Sequence, residues 1–512
     1  MVVGNGKAVE NPAATVRKGE TCGAEAGVSE YDPRRYQPCI MVIFGASGDL
    51  TSRMLMPSLY SLEKDGLLHE RFAIIGFGRT QMDDTSFRAR MVEAIEEYTA
   101  QAEISKEALA RFALRLHYMP GDYGDPAAFR RLREAILGLK GRCGAESVLY
   151  YVALPPTVCE QVLNTMKAVS FVPSKMEGAT ERIMVEKPFG LDYESAARLD
   201  KLLASIFEES EIYRVDHYLG KDTIRNLLLM RFANSIFEPL WDRRYVDNIQ
   251  ITGAESIGVE GRGGYYDEAG VVRDMVQNHV LQVLSLIAMD PPVAGDAESV
   301  RDKKMEVIKS LGPIGENDFV VGQYKGYRSE KGVAPDSKTP TFVALKLTVN
   351  NWRWFGVPFY VRAGKALARK FTEVTIVFKQ IPLCVLDDQS LCDSIRPNVI
   401  YVRIQPDEGI RLSFSAKVPG RRDEIATAVM GFSYADFGRR IPDAYERVLL
   451  DGLCGVPTLF WRADAIERAW KVVEPLLAPM ARPAEYEPGG WGPAEAEALI
   501  RQDGRNWISS YE

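Results

Sequence analysis

The histidines are the first residues that could do chemistry near neutral pH. The chain of 512 residues has only four of them, His69, His117, His217 and His279. Free imidazole has a pKa of about 6.5, so a general base working near neutral pH is expected in this set. His279 lies among apolar residues on a segment of helical periodicity, where a lone histidine is more often structural. The polar residue Asp274 on the same segment keeps a catalytic role open.

A dense polar segment, Arg214–Asp222, surrounds His217. It contains Asp216, Tyr218 and Lys221 as well as a glycine. Hydrogen-bond donors on His, Tyr and Lys side chains this close together could converge on one phosphate group. An ordinary polar loop gives similar clusters, so the sequence leaves both interpretations open.

Lys187 stands in Glu186-Lys187-Pro188-Phe189-Gly190, directly after an apolar run. In an open parallel sheet, ligands bind outside the carboxyl ends of the strands. A lysine at that place could point into the ligand crevice, and the alternative is a strand that proline simply terminates. The bond to Pro188 could be cis or trans.

A phosphate-binding turn is predicted at Gly45-Ala46-Ser47-Gly48-Asp49-Leu50, between an apolar run and a helical pattern. The glycines would let the backbone approach a pyrophosphate, and the helix N-terminus would supply N–H donors. Ser47 could add a hydroxyl donor. The pattern departs from G-x-G-x-x-G, and glycine at such a turn can also be purely steric.

The cofactor preference depends on the end of the second predicted strand. NAD-binding folds usually place an acidic residue there, to accept a hydrogen bond from the ribose 2′-hydroxyl. This chain has Arg79 instead, which could pair with a 2′-phosphate. The position favours NADP over NAD, with a solvated surface charge as the alternative.

Alternating strands and helices must position these residues. Strands are predicted at 39–44, 71–78, 116–119, 147–154 and 182–187, with helices at about 81–115 and 126–139. This order predicts an α/β, Rossmann-like unit with a doubly wound parallel sheet.

The pattern changes from about residue 240. Strands are predicted at 248–252, 341–349, 373–379, 398–404 and 410–416. Alternating apolar and polar residues and short connections indicate a mostly antiparallel sheet, hence an α+β unit. Helices at 271–288 and 194–208 are expected to cover it.

Three regions follow from these patterns. Residues 1–37 are expected to be a mobile extension, since they lack apolar periodicity. Residues 38–214 are predicted to bind a dinucleotide, and residues 215–512 to bind substrate.

Composition excludes several classes of protein. The chain is 46% hydrophobic and 26% charged, with a net charge of −7. This composition is typical of globular proteins, and the acidic balance disfavours nucleic acids and anionic membranes as partners. No membrane span, signal peptide or metal site is predicted.

The seven cysteines are scattered and lack a Cys-x-x-Cys pair. Reduced thiols in a cytoplasmic protein are the simplest interpretation, with a partial organelle pool left open.

Together the motifs resemble those of the glucose-6-phosphate dehydrogenase family, over roughly residues 38–500. The resemblance includes the glycine turn, the segment from Glu186 to Gly190 and the segment from Asp216 to Lys221. Further matching segments are Ala153–Thr157, Gly261–Tyr265, Asp274–Gln282, Arg362–Leu367 and Asp443–Arg447. They occur in the family's order.

The resemblance implies oxidation of glucose 6-phosphate to 6-phosphogluconolactone, with NADP reduced to NADPH, as in the oxidative pentose phosphate pathway. It implies that His279 is the general base and that Asp216 pairs with it. Lys187 is implied to bridge substrate and cofactor. The implied substrate contacts are His217, Tyr218, Lys221, Glu255, Asp274, Lys365, Lys370 and Gln405. The implied cofactor contacts are Gly45, Ser47, Gly48, Asp49, Leu50, Arg79 and Lys187.

The sequence also departs from the family pattern. Lys370 stands where an arginine is common, which keeps the charge but loses the forked donor geometry. Some animal relatives bind a second, structural NADP. At the corresponding positions this chain keeps Arg403 but has Phe371 and Trp491 among other changes, so a second site is expected to be weak or absent. The resemblance further implies a homodimer or homotetramer, with residues 215–512 as the oligomerisation domain.

Two other functions stay open. One is another NADP-dependent sugar oxidoreductase of similar fold, resembling glucose–fructose oxidoreductase, in which a lysine rather than a His–Asp pair would do the chemistry. The other is a non-catalytic NADP-sensing scaffold. The presence of Asp216, His279, Lys187 and Lys221 together argues against the scaffold.

Overall fold

The computed structural model describes residues 36–172, 180–420, 423–478 and 483–511. The predicted N-terminal extension therefore lies outside the described residues, apart from its last two positions. Of these, Tyr36 is buried and donates a hydrogen bond from its hydroxyl to the carbonyl of Leu67 over 2.6 Å. In the described part of the chain, no helix combines the length and apolar character needed to cross a membrane.

The first sheet is parallel throughout. Its strands are β1 Cys39–Phe44, β2 Ala73–Gly78, β3 Leu116–Pro120, β4 Ser147–Val152, β5 Glu181–Val185 and β6 Ile212–Arg214. They lie in the order β3-β2-β1-β4-β5-β6. The connecting helices are α1 Met56–Lys64, α2 Asp84–Tyr98, α3 Lys106–Leu114, α4 Pro126–Cys143, α5 Pro156–Ala168 and α6 Tyr193–Ala204.

Burial explains why the central strands are apolar without alternation. Every residue of β1 and β4 is buried, because helices cover both faces of this sheet. The predicted doubly wound unit is confirmed.

The second sheet has nine strands. They are β7 Val246–Ala254, β8 Phe319–Tyr324, β9 Phe342–Thr348, β10 Pro358–Gly364, β11 Phe371–Phe378, β12 Val399–Gln405, β13 Gly409–Lys417, β14 Ile425–Ser433 and β15 Ala484–Tyr486. Among the described strands of this second sheet, only the pairs β7–β10 and β8–β15 are parallel. The predicted, mostly antiparallel sheet is confirmed.

Eight helices accompany this sheet in the described residues. They are α7 Asp222–Phe232, α8 Gly263–Val271, α9 Leu281–Ala288, α10 Ala297–Ser310, α11 Gln389–Ser394, α12 Ala444–Cys454, α13 Ala463–Val473 and α14 Ala494–Arg501. A π-helical segment, Val272–Val280, joins α8 to α9. The predicted helix at 271–288 therefore exists, and its π-helical part packs on β7 and β10.

The prediction that a helix at 194–208 covers the second sheet is wrong. That segment is α6, which connects β5 to β6 within the first sheet. Parallel neighbours need a crossover helix, and α6 is that crossover.

The prediction that all cysteines are reduced is also wrong. Cys384 and Cys392 form a disulfide, with their Cα atoms 5.8 Å apart. The exposed loop before α11 brings the two thiols together, and the sequence carries no signal for that turn. Cys39, Cys143, Cys159 and Cys454 are free.

Candidate active site

The carboxyl ends of β5 and β6 face the π-helical segment Val272–Val280, and the candidate site lies there. Lys187, just beyond β5, donates to the backbone carbonyl of Asp274 over 3.0 Å and to its carboxylate over 3.2 Å. The bond between Lys187 and Pro188 is cis. Two of the predicted site residues, one after β5 and one on the π-helical segment, are thereby in direct contact.

His279 and Asp216 form a buried pair at the centre of this site. Nδ1 of His279 lies 2.5 Å from Oδ1 of Asp216, and the two residues are 1% and 3% exposed. The same carboxylate oxygen accepts a hydrogen bond from the backbone N–H of Tyr218 over 3.0 Å. A carboxylate bound at Nδ1 fixes the ring orientation and leaves Nε2 as the basic nitrogen.

Electrostatics sets the charge of this pair. Burial opposes ionisation of Asp216, but His279, His217 and Lys187 outweigh burial and lower the pKa of Asp216 to about 2. Burial lowers the pKa of His279 below that of free imidazole, although Asp216 opposes this change. Near neutral pH the pair is therefore a carboxylate beside a neutral imidazole, which is the state that a general base requires.

Aromatic rings enclose His279. The Tyr218 ring stacks on the imidazole with centroids 4.1 Å apart, and the His217 ring meets it edge-on at 4.8 Å. The amide of Gln405 lies 3.4 Å from the Tyr218 hydroxyl and 3.2 Å from the hydroxyl of Thr372. Gln405, one of the substrate contacts that the resemblance implies, is therefore brought to the same site.

The remaining predicted cations lie around the cleft. The Lys221 ammonium is 3.6 Å from Oε1 of Glu408, and Oε2 of the same carboxylate accepts a hydrogen bond from the Thr223 hydroxyl over 2.9 Å. A phosphate would compete with Glu408 for this ammonium group. Sequence reasoning did not find Glu408.

Glu255 and Lys365 form an ion pair where β7 and β10 end. The Lys365 ammonium also lies 5.0 Å from the centre of the Tyr266 ring. Lys370 is exposed. Because β11 pairs with β7 in the register that sets Phe371 against Ala254, Lys370 lies opposite Glu255, at the same end of these strands.

The glycine turn has the shape of a dinucleotide cradle. Gly45 has a φ of +89°, and a Cβ there would lie 2.5 Å from the carbonyl oxygen of Ala153. The N–H of Gly48 closes the turn by donating to the Gly45 carbonyl over 2.9 Å. The helix then begins at Asp49 and Leu50, so its N-terminal N–H groups face this turn.

Arg79 is exposed immediately after β2, with its guanidinium 5.7 Å from the centre of the Tyr123 ring. The next residue, Thr80, shares a hydrogen bond of 2.9 Å with the Ser47 hydroxyl. Arg90 of α2 donates to the Ser47 carbonyl over 2.8 Å. Sequence reasoning missed this second cation, because nothing in the sequence connects α2 with the turn.

Sequence reasoning also missed a set of part-buried hydrogen bonds beside the site. Glu186 accepts a hydrogen bond from the Tyr151 hydroxyl over 2.5 Å and another from Tyr445. The segment Asp443–Arg447 had been singled out only as a resemblance. Its Tyr445 ring stacks on His217 at 5.8 Å, with 8° between the ring planes.

The other two histidines lie away from this cleft. His117 is 3.0 Å from a carboxylate oxygen of Asp84, and His69 accepts from the Arg71 N–H over 3.0 Å. Nitrogen and oxygen atoms of Asp216, His217 and His279 lie within 4.8 Å of one another, a spacing that would also suit a metal ion. The short contact between Asp216 and His279 favours an acid–base pair instead.

The region where a second NADP would bind is covered by the chain's own C-terminal residues. The Tyr511 ring lies 4.2 Å from the Arg403 guanidinium and 5.2 Å from the Phe371 ring. The Ser510 N–H donates to Glu373 over 3.0 Å. The retained Arg403 is therefore already engaged.

Family comparisons match almost the whole chain. Residues 42–226 match the glucose-6-phosphate dehydrogenase NAD binding domain, and residues 228–508 match the C-terminal domain of the same family.

Individual relatives agree. A glucose-6-phosphate 1-dehydrogenase from Aggregatibacter actinomycetemcomitans is 45% identical over 92% of this chain and 97% of its own length. The crystal structure of a glucose-6-phosphate 1-dehydrogenase from Mycobacterium avium is 38% identical, with a TM-score of 0.82 over 93% of this chain and 99% of that one. A glucose-6-phosphate dehydrogenase in complex with glucose 6-phosphate is 34% identical, with a TM-score of 0.85 and the same coverage of both chains.

Proposed function

Since this chain belongs to the glucose-6-phosphate dehydrogenase family, we propose that it oxidises glucose 6-phosphate to 6-phosphogluconolactone with NADP. The observation that carries the proposal is the buried pair of His279 and Asp216, which faces a cleft lined by Lys187, His217 and Lys221. A base and a set of phosphate-binding groups in one cleft suit an alcohol on a phosphorylated sugar.

The residues of the glycine turn fit a dinucleotide. A side chain at Gly45 would collide with the backbone of Ala153, so only glycine allows the tight turn from β1 into the helix, and a turn of this kind at a helix N-terminus is where a pyrophosphate binds. Gly45, Ser47, Gly48, Asp49 and Leu50 would hold the pyrophosphate and its ribose. When bound, the nicotinamide supplies the acceptor for a hydride.

The NADP preference rests on Arg79. The end of β2 carries this arginine and lacks the acidic residue that NAD-binding folds usually have there. The next carboxylates, Asp83 and Asp84, are engaged elsewhere. Asp83 caps α2, while Asp84 accepts from the Tyr118 N–H over 2.8 Å.

His279 takes the proton of the substrate's C1 hydroxyl at Nε2. Asp216 keeps the imidazole oriented and stabilises the imidazolium that forms. As the O–H bond breaks, its electron pair forms the carbonyl of the lactone, and the hydrogen at C1 leaves with two electrons as a hydride. Charge and atoms therefore balance without a metal ion.

The sugar phosphate is held by His217, Tyr218 and Lys221. Burial, together with His279 and Lys187, keeps the pKa of His217 well below the ordinary value, so its ring binds as a neutral donor. Lys221 supplies the positive charge, and Lys187 reaches both substrate and cofactor.

A second group of residues positions the sugar hydroxyls. Burial opposes ionisation of Asp274, but Lys187 and Lys365 lower its pKa to about 2, so it accepts hydrogen bonds as a carboxylate. The other members of this group are Glu255, Lys365, Lys370 and Gln405.

We also propose a homodimer or homotetramer formed through the residue range 215–512. The edge strand β14 exposes Val429 and Met430, and such apolar side chains suit contact with a second copy. Light scattering that gives the mass of one chain would contradict this assignment.

A substrate comparison tests the function itself. Formation of reduced cofactor, followed at 340 nm, is expected to be far faster with glucose 6-phosphate than with unphosphorylated glucose. The rival sugar oxidoreductase would show the reverse preference, and the non-catalytic scaffold would show no turnover with either sugar.

A further inference from the structure

Glu186 is an acidic residue in the site to which the proposed reaction gives no role. It directly follows β5 and precedes Lys187. Its carboxylate accepts hydrogen bonds from two tyrosine hydroxyls. One is that of Tyr151 on the neighbouring strand β4, at 2.5 Å, and the other is that of Tyr445 at the start of α12. Carboxylates that accept two such bonds hold their donors in fixed orientations.

Tyr445 connects this carboxylate to the phosphate-binding segment. Its ring is buried and lies nearly parallel to the His217 ring, with an angle of 8° between the planes. The start of α12 packs closely on the same segment, since a Cβ at Gly220 would collide with the carbonyl of Ala444. Tyr445 therefore packs directly against His217, and the start of α12 against the segment that carries it.

We propose that Glu186 is a positioning residue for the sugar phosphate, which holds the Tyr445 ring as the platform on which His217 stacks. This inference rests on the proposed function, because it assumes that His217 binds the phosphate. It predicts an effect mainly on the KM for glucose 6-phosphate, since Glu186 contacts neither the base nor the cofactor turn.

The charge of Glu186 adds a pH dependence. Burial raises the pKa of this carboxyl to about 7, opposed by the two tyrosines and Lys187, while Asp216 adds to the rise. The groups facing it are therefore Tyr151, Tyr445, Lys187 and Asp216. Above pH 7 the carboxylate accepts from both tyrosines, whereas below pH 7 the protonated acid accepts less well.

The first test is Glu186→Gln, which keeps the size of the side chain but removes the charge. At pH 8 we expect the KM for glucose 6-phosphate to rise roughly tenfold, the effect of weakening a hydrogen bond to a charged group, with kcat changed less than about threefold. At pH 6 the ratio of the two KM values should approach one, because protonated Glu186 resembles glutamine. Both proteins are measured at the same pH, so any effect of the substrate's own ionisation on KM cancels in this ratio.

The matched test is Tyr445→Phe, which keeps the ring on His217 but removes its bond to Glu186. If Glu186 acts through Tyr445, the double variant, which carries both Glu186→Gln and Tyr445→Phe, should have nearly the same KM as Tyr445→Phe alone. An unchanged KM in Glu186→Gln at pH 8, a ratio that does not depend on pH, or multiplicative effects in the double variant would overturn the inference.

Two safeguards keep the outcomes distinct. If Glu186→Gln does not fold, Tyr445→Phe takes its place, and its KM is compared with that of the wild type at pH 8 and at pH 6. A ratio of these two KM values that does not depend on pH would overturn the inference. Lack of wild-type activity with glucose 6-phosphate would instead contradict the proposed function.

Discussion

Replacing His279 with asparagine tests the assigned base most sharply among single substitutions. The side chain is 1% exposed and is held through Nδ1 by Asp216. Burial, together with His279 and Lys187, keeps the pKa of the neighbouring His217 well below its ordinary value, so that ring is a poor replacement for the base. The shorter amide of asparagine has no basic nitrogen. A positioned general base contributes about 10²- to 10⁴-fold, which corresponds to roughly 2.7–5.4 kcal/mol of activation free energy.

The same substitution removes a hydrogen bond from the buried carboxylate of Asp216. A bond of this kind to a charged group is worth about 1.5–3 kcal/mol of folding free energy. The thermal midpoint should therefore fall, and kcat must be measured at a temperature at which His279→Asn is folded. Stopped-flow measurement of reduced cofactor at 340 nm, with saturating glucose 6-phosphate, gives the comparison.

His117→Asn is the matched control. His117 also lies beside a carboxylate, that of Asp84 at 3.0 Å, but away from the cleft. It should keep kcat within about twofold, as expected for a surface substitution away from the site. A decrease of less than tenfold in His279→Asn, or an equal decrease in the control, would refute the assignment of the base.

The rate ratio of wild type to His279→Asn also has a predicted pH dependence. The pKa of His279 is lowered by burial below that of free imidazole, so the ratio should stay constant from alkaline pH down to about pH 6.5, the value of free imidazole. It should fall only at lower pH, as the base becomes protonated.

The remaining predictions concern the ligands. Arg79→Ala should weaken NADP binding much more than NAD binding in fluorescence titrations, and equal losses would remove the 2′-phosphate contact. Lys221→Ala should raise the KM for glucose 6-phosphate, by tenfold or more if a charged hydrogen bond is lost, whereas an unchanged KM would count against the phosphate site. Equilibrium dialysis should give about one NADP per chain, because Tyr511 covers Arg403, and a value near two would contradict this.

Much of the fold was predictable because burial determines which positions of a strand or helix must be apolar. The continuous apolar runs of β1 and β4 follow from burial on both faces, and their alternation with helices gave the parallel sheet. The second sheet was harder. Strand β10 contains the buried Arg362, and β14 is an edge strand with exposed Val429 and Met430, so neither shows a clean apolar pattern.

The site residues were predictable where local spacing carries the chemistry. The segment from Asp216 to Lys221 and the turn from Gly45 to Leu50 are each continuous in sequence. The partners of these residues were not predictable, since they come from remote elements. Glu408 beside Lys221 and Tyr445 beneath His217 are both examples, separated from their partners by more than a domain's length of chain.

The helix at 194–208 shows a different limit. Its periodicity correctly predicted a helix, but an amphipathic pattern does not say which sheet the apolar face will cover. Only the parallel pairing of β5 and β6 decides that α6 belongs to the first sheet.

The most direct test of the central claim is the fate of the hydrogen at C1. With glucose 6-phosphate deuterated at C1, NADP and the wild-type protein, mass spectrometry should find one deuterium in each NADPH formed, with 6-phosphogluconolactone as the other product. NADPH that carries only hydrogen from solvent, or no NADPH at all, would contradict hydride transfer from glucose 6-phosphate in this cleft.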